Sequence, residues 1–298
     1  FEENIYNPRE FDREIKEYKG KPALLTKGKE TFDFIGKYHE HYKFLFEDEN
    51  YQINNNFEFH NLIVLMEKGF EADFWIAPLL RYYDKFRTNN LVEFLKKLDN
   101  KFSSDWIIGL TPTSRIENVN AIIRKIDNSD KSEAVLNSKT LQINIDRLID
   151  AVHSPMYGRR CAKYIMLKVD KIILGSSTKL NPPETVSIEH ILPRNPSPGS
   201  EWLKIFNESE REELTDKIGN LMLISRRKNS SLNNYDFKFK KEKYFKENIE
   251  LFSNSIRIYK DNSNWSPDSL KRNHLFLLKE IAKEYGFSLS EEFMKTYE

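Results

Sequence analysis

Two short apolar runs followed by a basic stretch constrain this chain more than any other feature of its sequence. The runs cover residues 186–193 and 218–225, and both are rich in the β-branched residues that strands favour. Residues 226–234 follow with helix-forming character, and a basic helix-like tail covers residues 237–246. This order predicts a strand–strand–helix unit within a chain that is otherwise helical.

Polar side chains stand at the ends of these predicted elements. His190 lies near the end of the first run, and Asn220 lies near the start of the second. Asn229 lies at the start of the predicted helix. An imidazole with a pKa near ~6.5 can act as a general base, and hard divalent cations prefer carboxylate and amide oxygens. We therefore expect His190 to activate water at a phosphodiester, with Glu189 and Asn229 as candidate ligands of Mg²⁺. Asn233 lies one helical turn beyond Asn229, so it is a further candidate ligand.

The amino-acid sequence of these segments, "IEHILP…IGNLMLIS…KNSSLNNYDF", resembles that of the HNH (ββα-metal) nucleases. More narrowly, it resembles the C-terminal nuclease domain of GmrSD-type restriction and phage-defence proteins. The resemblance implies that His190 is the base, that Glu189 and Asn229 bind the metal, and that Asn220 is structural. Asn220 is then expected to hydrogen-bond the loop backbone and to fix the ring of His190. Many relatives have Asp where this chain has Glu189, which makes direct ligation by this residue a point to examine.

The distribution of charge indicates nucleic-acid binding beside this unit, although the net charge of the chain is only +1. Residues 226–246 contain eight Lys and Arg against two acidic residues, a local charge of +6. A solvated helix face would also explain such a run, but beside His190 we interpret it as phosphate neutralisation. The resemblance places Lys240 on a phosphate. The predicted nucleic-acid contacts are Arg226, Arg227, Lys228, Lys240 and Lys241.

Composition excludes several classes of protein. The chain is 39% hydrophobic and 31% charged, as in ordinary globular proteins, and no apolar run approaches the ~20 residues that cross a bilayer. The single cysteine, Cys161, excludes an intrachain disulfide and a multi-cysteine zinc site, and no signal peptide is visible. A cytoplasmic location is the expectation. No Gly-rich phosphate loop is present, so nucleotide hydrolysis is not expected.

Amphipathic periodicity predicts helices around the strand–strand–helix unit. Apolar residues follow Leu91 at i+3, i+4 and i+7, and Gly175 ends a predicted helix over about residues 159–174. Ser266 as the cap and Pro267 at the first position predict the start of the last long helix. The predicted fold is mainly α with a small α+β part, in which a helical domain precedes an HNH module and C-terminal helices.

We expect four parts along the chain. Residues 1–30 are a connector from an upstream domain, because the sequence begins with Phe rather than Met, and residues 31–180 form the helical domain. Residues 181–250 form the HNH ββα-metal nuclease module, and residues 251–298 form a helical extension packed on it. The upstream domain is expected to be regulatory.

The combined interpretation is a metal-dependent DNA endonuclease of HNH type, using Mg²⁺ or Mn²⁺ and acting on phage or modified DNA. It would be the effector portion of a restriction or antiviral defence protein. The alternative is a non-catalytic nucleic-acid-binding or protein-interaction module that retains a degenerate nuclease fold. His39 and His41 could also share a strand face and bind zinc, although no third ligand lies nearby.

Overall fold

The computed structural model describes residues 28–47, 56–225, 234–246 and 252–297. In these ranges the secondary structure is mainly helical, with a two-stranded antiparallel sheet. This confirms the prediction of a mainly α fold with a small α+β part. No helix in the described ranges is both long enough and apolar enough to cross a membrane.

The helices and strands are numbered here in chain order. The α-helices are α1 (Lys29–Tyr42), α2 (Glu58–Gly69), α3 (Ile76–Phe86), α4 (Leu91–Ile107), α5 (Pro112–Asp127), α6 (Ser132–Leu136), α7 (Ile145–His153), α8 (Ala162–Leu174), α9 (Glu201–Ile205), α10 (Glu208–Leu214), α11 (Phe237–Lys246), α12 (Ser253–Asp261), α13 (Pro267–Glu284) and α14 (Glu291–Lys295). The strands are β1 (Val186–His190) and β2 (Leu221–Ser225). Shorter helical turns are the π-helical Lys43–Glu47 and the 3₁₀ turns Lys139–Leu141 and Ile218–Asn220.

One compact unit comprises, among the described residues, the ranges 28–47, 72–102 and 111–142. The apolar stripe that starts at Leu91 is buried in it, as its helical periodicity predicts. Phe94 of this stripe stacks on Tyr82 of α3, with ring centroids 3.9 Å apart. Packing of amphipathic helices through aromatic rings therefore forms the core of this unit.

The histidine pair of the first unit does not form the strand face considered for zinc. Both residues lie in α1, where residues two apart point in different directions, so that His39 is exposed and His41 is buried. Nε2 of His41 lies 3.1 Å from Oδ1 of Asp84 in α3. The alternative of a shared strand face is excluded because the segment is helical.

The second compact unit comprises, among the described residues, the ranges 56–71, 103–110, 143–225, 234–246 and 252–297. At its centre the two strands pair antiparallel, and β2 is buried along its whole length. Alternate residues of β2 enter two different apolar clusters, because successive side chains of a strand point to opposite faces. The first cluster includes residues of α8 and α13, and the second includes residues of α11 and α12. The sheet thus lies between two cores.

The helix ends follow the predicted signals. Ser266 accepts a hydrogen bond from the main-chain N of Ser269 at 3.2 Å, and Pro267 is the first residue of α13. Gly175 follows α8 with a φ of 77°, a left-handed conformation that glycine adopts without strain. α8 begins at Ala162, about one turn later than its periodicity predicts.

The four-part division along the chain stays a prediction. The compact units alternate along the described chain, so neither of them corresponds to a single continuous segment.

Candidate active site

The end of β1 directs two neighbouring side chains to opposite faces of the sheet. Glu189 pairs with Met222 of β2 and His190 pairs with Leu221, so the two residues follow the alternation of the strand. Met222 belongs to the cluster that includes α11, whereas Leu221 belongs to the cluster that includes α8 and α13. Glu189 and His190 therefore meet different partners.

On its face of the sheet, His190 belongs to a group of four side chains that we call the His190 cluster, formed by Tyr157, His190, Arg194 and Asp216. Nε2 of His190 and Nε of Arg194 both lie 2.9 Å from Oδ1 of Asp216. Nη2 of Arg194 donates to the other carboxylate oxygen at 2.5 Å, which completes a bidentate pair. The ring of Tyr157 lies 4.2 Å from the ring of His190 and 4.8 Å from the guanidinium carbon of Arg194.

The main chain holds this cluster in place. Asp216 lies between α10 and the 3₁₀ turn Ile218–Asn220, and its carbonyl oxygen accepts from the N of Met156 at 2.7 Å and from the N of Tyr157 at 3.2 Å. The segment that carries Tyr157 is thereby attached to the segment that carries Asp216. The carboxylate can orient the imidazole because its own backbone is fixed.

The cluster determines the protonation states of its members. Burial lowers the pKa of His190 below its ordinary value, and the hydrogen bond with Asp216 only partly opposes this effect. Burial raises the pKa of Asp216, but the hydrogen bonds with Arg194 and His190 outweigh it and hold that pKa below the ordinary range. At neutral pH Asp216 is a carboxylate and His190 is a neutral imidazole that donates through Nε2. Nδ1 then carries the lone pair.

On the other face, Glu189 forms an ion pair with Lys240 of α11, whose Nζ lies 2.8 Å from Oε1. The same Nζ donates to the carbonyl oxygen of His190 at 2.7 Å and to that of Ile191 at 3.2 Å. An ammonium has three N–H donors, and all three have acceptors here. Lys240 is fully buried, so the surface phosphate contact implied by the resemblance is replaced by an internal contact.

The oxygen of Glu189 that was expected to bind metal is thus engaged with a cation. Burial raises the pKa of Glu189 and lowers the pKa of Lys240, and each charge counteracts the effect on the other. The described part of the chain contains no group of three His, Cys, Asp or Glu side chains that could hold a metal ion. A hard oxygen donor at Glu189 suits Mg²⁺ chemically, but it is a single donor.

Asn220 connects the loop after β1 to the rest of the site. Its amide oxygen accepts from the N of Leu192 at 2.8 Å and from Nε1 of Trp265 at 3.3 Å. Its amide nitrogen donates to the carbonyl oxygen of Leu192 at 2.9 Å and to that of Thr215 at 2.8 Å. The buried amide thus uses both acceptor positions and both N–H groups, and it holds the loop next to His190.

The glycine before Asn220 allows helix α13 to approach this turn. A Cβ at Gly219 would lie 2.5 Å from the Cβ of His274 and 2.7 Å from its Cα, well inside van der Waals contact. Instead, the N of Gly219 donates to Nδ1 of His274 at 3.2 Å. Only glycine fits there without a shift of the helix.

Five of the predicted site residues lie outside the part of the chain that the structure describes. The two remaining candidate metal ligands and three of the predicted phosphate contacts lie outside the described residues: Asn229, Asn233, Arg226, Arg227 and Lys228. The remaining predicted contact, Lys241, is partly buried and donates to the carbonyl oxygen of Asn262 at 2.9 Å.

Sequence reasoning missed three members of the His190 cluster: Tyr157, Arg194 and Asp216. Asp216 is 26 residues from His190 and Tyr157 is more distant still, so no local spacing connects them. Arg194 directly follows Pro193, and a cation four residues after a candidate base was the one available signal.

Comparison with known families identifies the chain. The family model described as GmrSD restriction endonucleases, C-terminal domain, matches residues 97–280, more than half of the chain. The chain therefore belongs to this family, whose name indicates a restriction-endonuclease effector and DNA as the substrate. A family of unknown function (DUF7834) matches residues 21–104. No curated protein and no solved structure matches the chain.

Proposed function

We propose that this chain is a DNA endonuclease of HNH (ββα-metal) type in which His190 is the general base. The observation that carries the proposal is the 2.9 Å contact between Nε2 of His190 and the Asp216 carboxylate. Because Nε2 donates to Asp216, the lone pair of the neutral ring is on Nδ1, which can take a proton from water at a phosphodiester. The low pKa of His190 keeps the base unprotonated at neutral pH.

The order of the surrounding elements supports the same proposal. β1 and β2 form an antiparallel pair, and α11 follows β2 in the chain and contacts the end of β1 through Lys240. Asn220 holds the intervening loop by its main chain, which supports a structural role for this residue, and the ring of His190 is contacted by Asp216 rather than by Asn220.

Phosphate binding is assigned in the proposal to Arg194 and to cations that follow β2 in the chain. Arg194 is half-exposed and lies within a phosphate's reach of His190, because both residues contact the same oxygen of Asp216. We therefore propose Arg194 in place of Lys240, and we keep the set beyond β2 as further phosphate contacts: Arg226, Arg227, Lys228 and Lys241. A guanidinium suits this role because it binds phosphate oxygens bidentately.

A hard divalent cation, Mg²⁺ or Mn²⁺, completes the proposal. Glu189, Asn229 and Asn233 would hold it, and it would neutralise charge that develops on the phosphate. Since Glu189 is paired with Lys240, we expect Asn229 to contribute strongly. Asn229→Ala should therefore raise the Mg²⁺ concentration that half-maximal cleavage requires.

Nicking of supercoiled plasmid DNA tests the proposal. The wild-type chain should nick in Mg²⁺ or Mn²⁺ and stop when EDTA is added. His190→Ala should lower the rate by about 10²- to 10⁴-fold, which is the usual contribution of general acid–base catalysis. His39→Ala is a matched control, because it removes an exposed histidine of the other unit.

The outcomes separate catalysis from binding. Full activity of His190→Ala, with an unchanged circular-dichroism spectrum, would remove His190 from the mechanism. Salt-sensitive DNA binding by the wild-type chain without any nicking would favour the non-catalytic module instead.

A further inference from the structure

Two aromatic side chains and a lysine form an exposed patch beside α11. Tyr235 is 45% exposed and Phe239 is 47% exposed, and their ring centroids are 4.3 Å apart. Nζ of Lys243 lies 5.4 Å from the ring centroid of Tyr235 and 5.8 Å from that of Phe239. We call these three residues the aromatic patch. Single exposed rings are common on protein surfaces, but two exposed rings in contact with each other beside a cation form a contiguous apolar surface that a ligand can cover.

A rigid support holds the patch. The opposite side of α11 is buried through Phe237, Lys240 and Tyr244. The carbonyl oxygen of Tyr235 accepts a hydrogen bond from Nε1 of the buried Trp202 at 3.2 Å. The exposed rings are therefore positioned by packed elements, which reduces the conformational entropy that a ligand must remove.

The charge around the patch identifies the kind of ligand. α11 contains five lysines and a single acidic residue, Glu242, and Lys238 is exposed next to Phe239. Aromatic faces beside cations suit a nucleic-acid strand, whose bases stack on rings and whose phosphates pair with ammonium groups. The same helix reaches the proposed catalytic histidine, since Lys240 bonds to the carbonyl oxygen of His190.

We infer that the aromatic patch stacks on an unpaired base of the DNA strand that is bound for cleavage, with Lys243 and Lys238 on the adjoining phosphates. This inference rests on the proposed function for the identity of the nucleic acid. It adds a preference for DNA in which a base is unpaired and unstacked, because the faces of a base within a duplex are covered by the neighbouring bases of the stack.

Binding of oligonucleotides by the 298-residue chain tests this inference without cleavage. The His190→Ala background in EDTA is titrated with a duplex that carries one unpaired 2-aminopurine, and with the same duplex in which that base is paired. Stacking on a ring quenches the fluorescence of this adenine analogue. Tyr235→Ala and Phe239→Ala should each weaken binding of the unpaired form roughly 5- to 150-fold, and binding of the paired form less than about 2-fold.

Two further variants separate stacking from misfolding. Tyr235→Phe keeps the ring and should keep both the affinity and the quenching. Tyr42→Ala removes an exposed ring of the other unit and should change neither form.

The charge of the patch has its own readout. Lys243→Gln should weaken binding of the paired and unpaired forms alike, and should reduce the slope of log affinity against log salt by about one. The aromatic variants should leave that slope unchanged, because they remove no cation.

The inference is overturned if the aromatic variants weaken both forms equally, or if they weaken neither. Nicking by the wild-type chain is assayed separately, so the two proposals can fail independently. If the wild-type chain nicks DNA but its aromatic variants bind the paired and unpaired forms in the same ratio as it does, only the stacking role is rejected. If the aromatic variants lose the preference for the unpaired form but the wild-type chain does not nick, only the catalytic role is rejected.

Discussion

Glu189 and His190 are adjacent in β1, but their partners differ in access to solvent. The side chain of Lys240, which pairs with the carboxylate of Glu189, is completely buried. The side chains of Asp216 and Arg194 beside His190 are 26% and 52% exposed. The ammonium of Lys240 has an acceptor for each of its three donors. The guanidinium of Arg194 uses Nε and Nη2 on Asp216, and among the described residues its remaining nitrogen, Nη1, has no hydrogen-bond partner.

From this difference we infer that the Glu189–Lys240 pair supports the structure, and we assign the proposed chemistry to the His190 cluster. The Glu189–Lys240 pair, in which every donor of the ammonium has an acceptor, joins β1 to α11. A phosphate could bind Lys240 only if some of these hydrogen bonds were broken. In the proposed function, the partly exposed His190 cluster would bind a substrate while the bond that orients His190 is kept. A metal ion at Glu189 would place a second positive charge near Lys240, so the proposed ion depends on donors from elsewhere in the chain.

Disruption of the Glu189–Lys240 pair should produce the largest effect, and this effect should be a loss of stability. Lys240→Met leaves the Glu189 carboxylate buried without its cation, and should lower the free energy of unfolding by about 3–5 kcal/mol. The measurement is denaturant unfolding followed by circular dichroism. The double variant Glu189→Gln/Lys240→Met removes both charges and should recover much of the loss.

Lys238→Met is the matched control, because Lys238 is an exposed residue of the same helix. It should change stability by no more than about 0.5 kcal/mol. If Lys240→Met is no more damaging than this control, the pair is not a buried structural contact, and the contrast between the two faces is lost.

Substitutions in the His190 cluster should change the cleavage rate more than the stability of the fold. Asp216→Asn removes the carboxylate that orients His190, and should lower kcat on the order of 10- to 100-fold, as for other groups that orient a functional histidine. Asp216 also raises the pKa of His190, so its loss should move the acid limb of the kcat/KM profile to lower pH. The measurement is the cleavage rate between pH 5 and pH 9, values chosen to bracket the ~6.5 of a free imidazole.

Asp130→Asn is the control for this variant, since it neutralises an exposed aspartate of the other unit. A fall in rate without movement of the acid limb would indicate that Asp216 only supports the loop. A loss of stability as large as that of Lys240→Met would contradict the division into a structural face and a chemical face.

Local sequence patterns predicted the helices and the order in which the elements of the candidate site follow one another along the chain. The periodicity from Leu91, the cap at Ser266 and the two β-branched runs depend on neighbouring residues, and the structure has these elements. The position of Lys240 was also accessible, because Phe237 and Tyr244 lie at i−3 and i+4 from it and define a buried face. A lysine on such a face requires an internal acceptor, and this argues against a surface phosphate contact.

The rest of the site could not be derived from the sequence, because it depends on contacts between distant segments. Asp216 lies beside His190 because β2 pairs with β1 and the turn at Ile218–Asn220 connects Asp216 to β2. Tyr157 reaches them through main-chain bonds to Asp216. No spacing in a single sequence encodes such contacts.

Substitution of Arg194 should produce the smallest effect in the His190 cluster, and this effect best tests the role of His190. Arg194 lowers the pKa of His190, so Arg194→Gln should move the acid limb of kcat/KM to higher pH, opposite to the movement in Asp216→Asn. The rate at pH 8 should then fall mainly through KM, if the guanidinium binds a phosphate. Because Arg194 is half-exposed, stability should change by less than about 1 kcal/mol. Acid limbs that move in the same direction in the two variants would mean that His190 is not the group whose protonation limits cleavage.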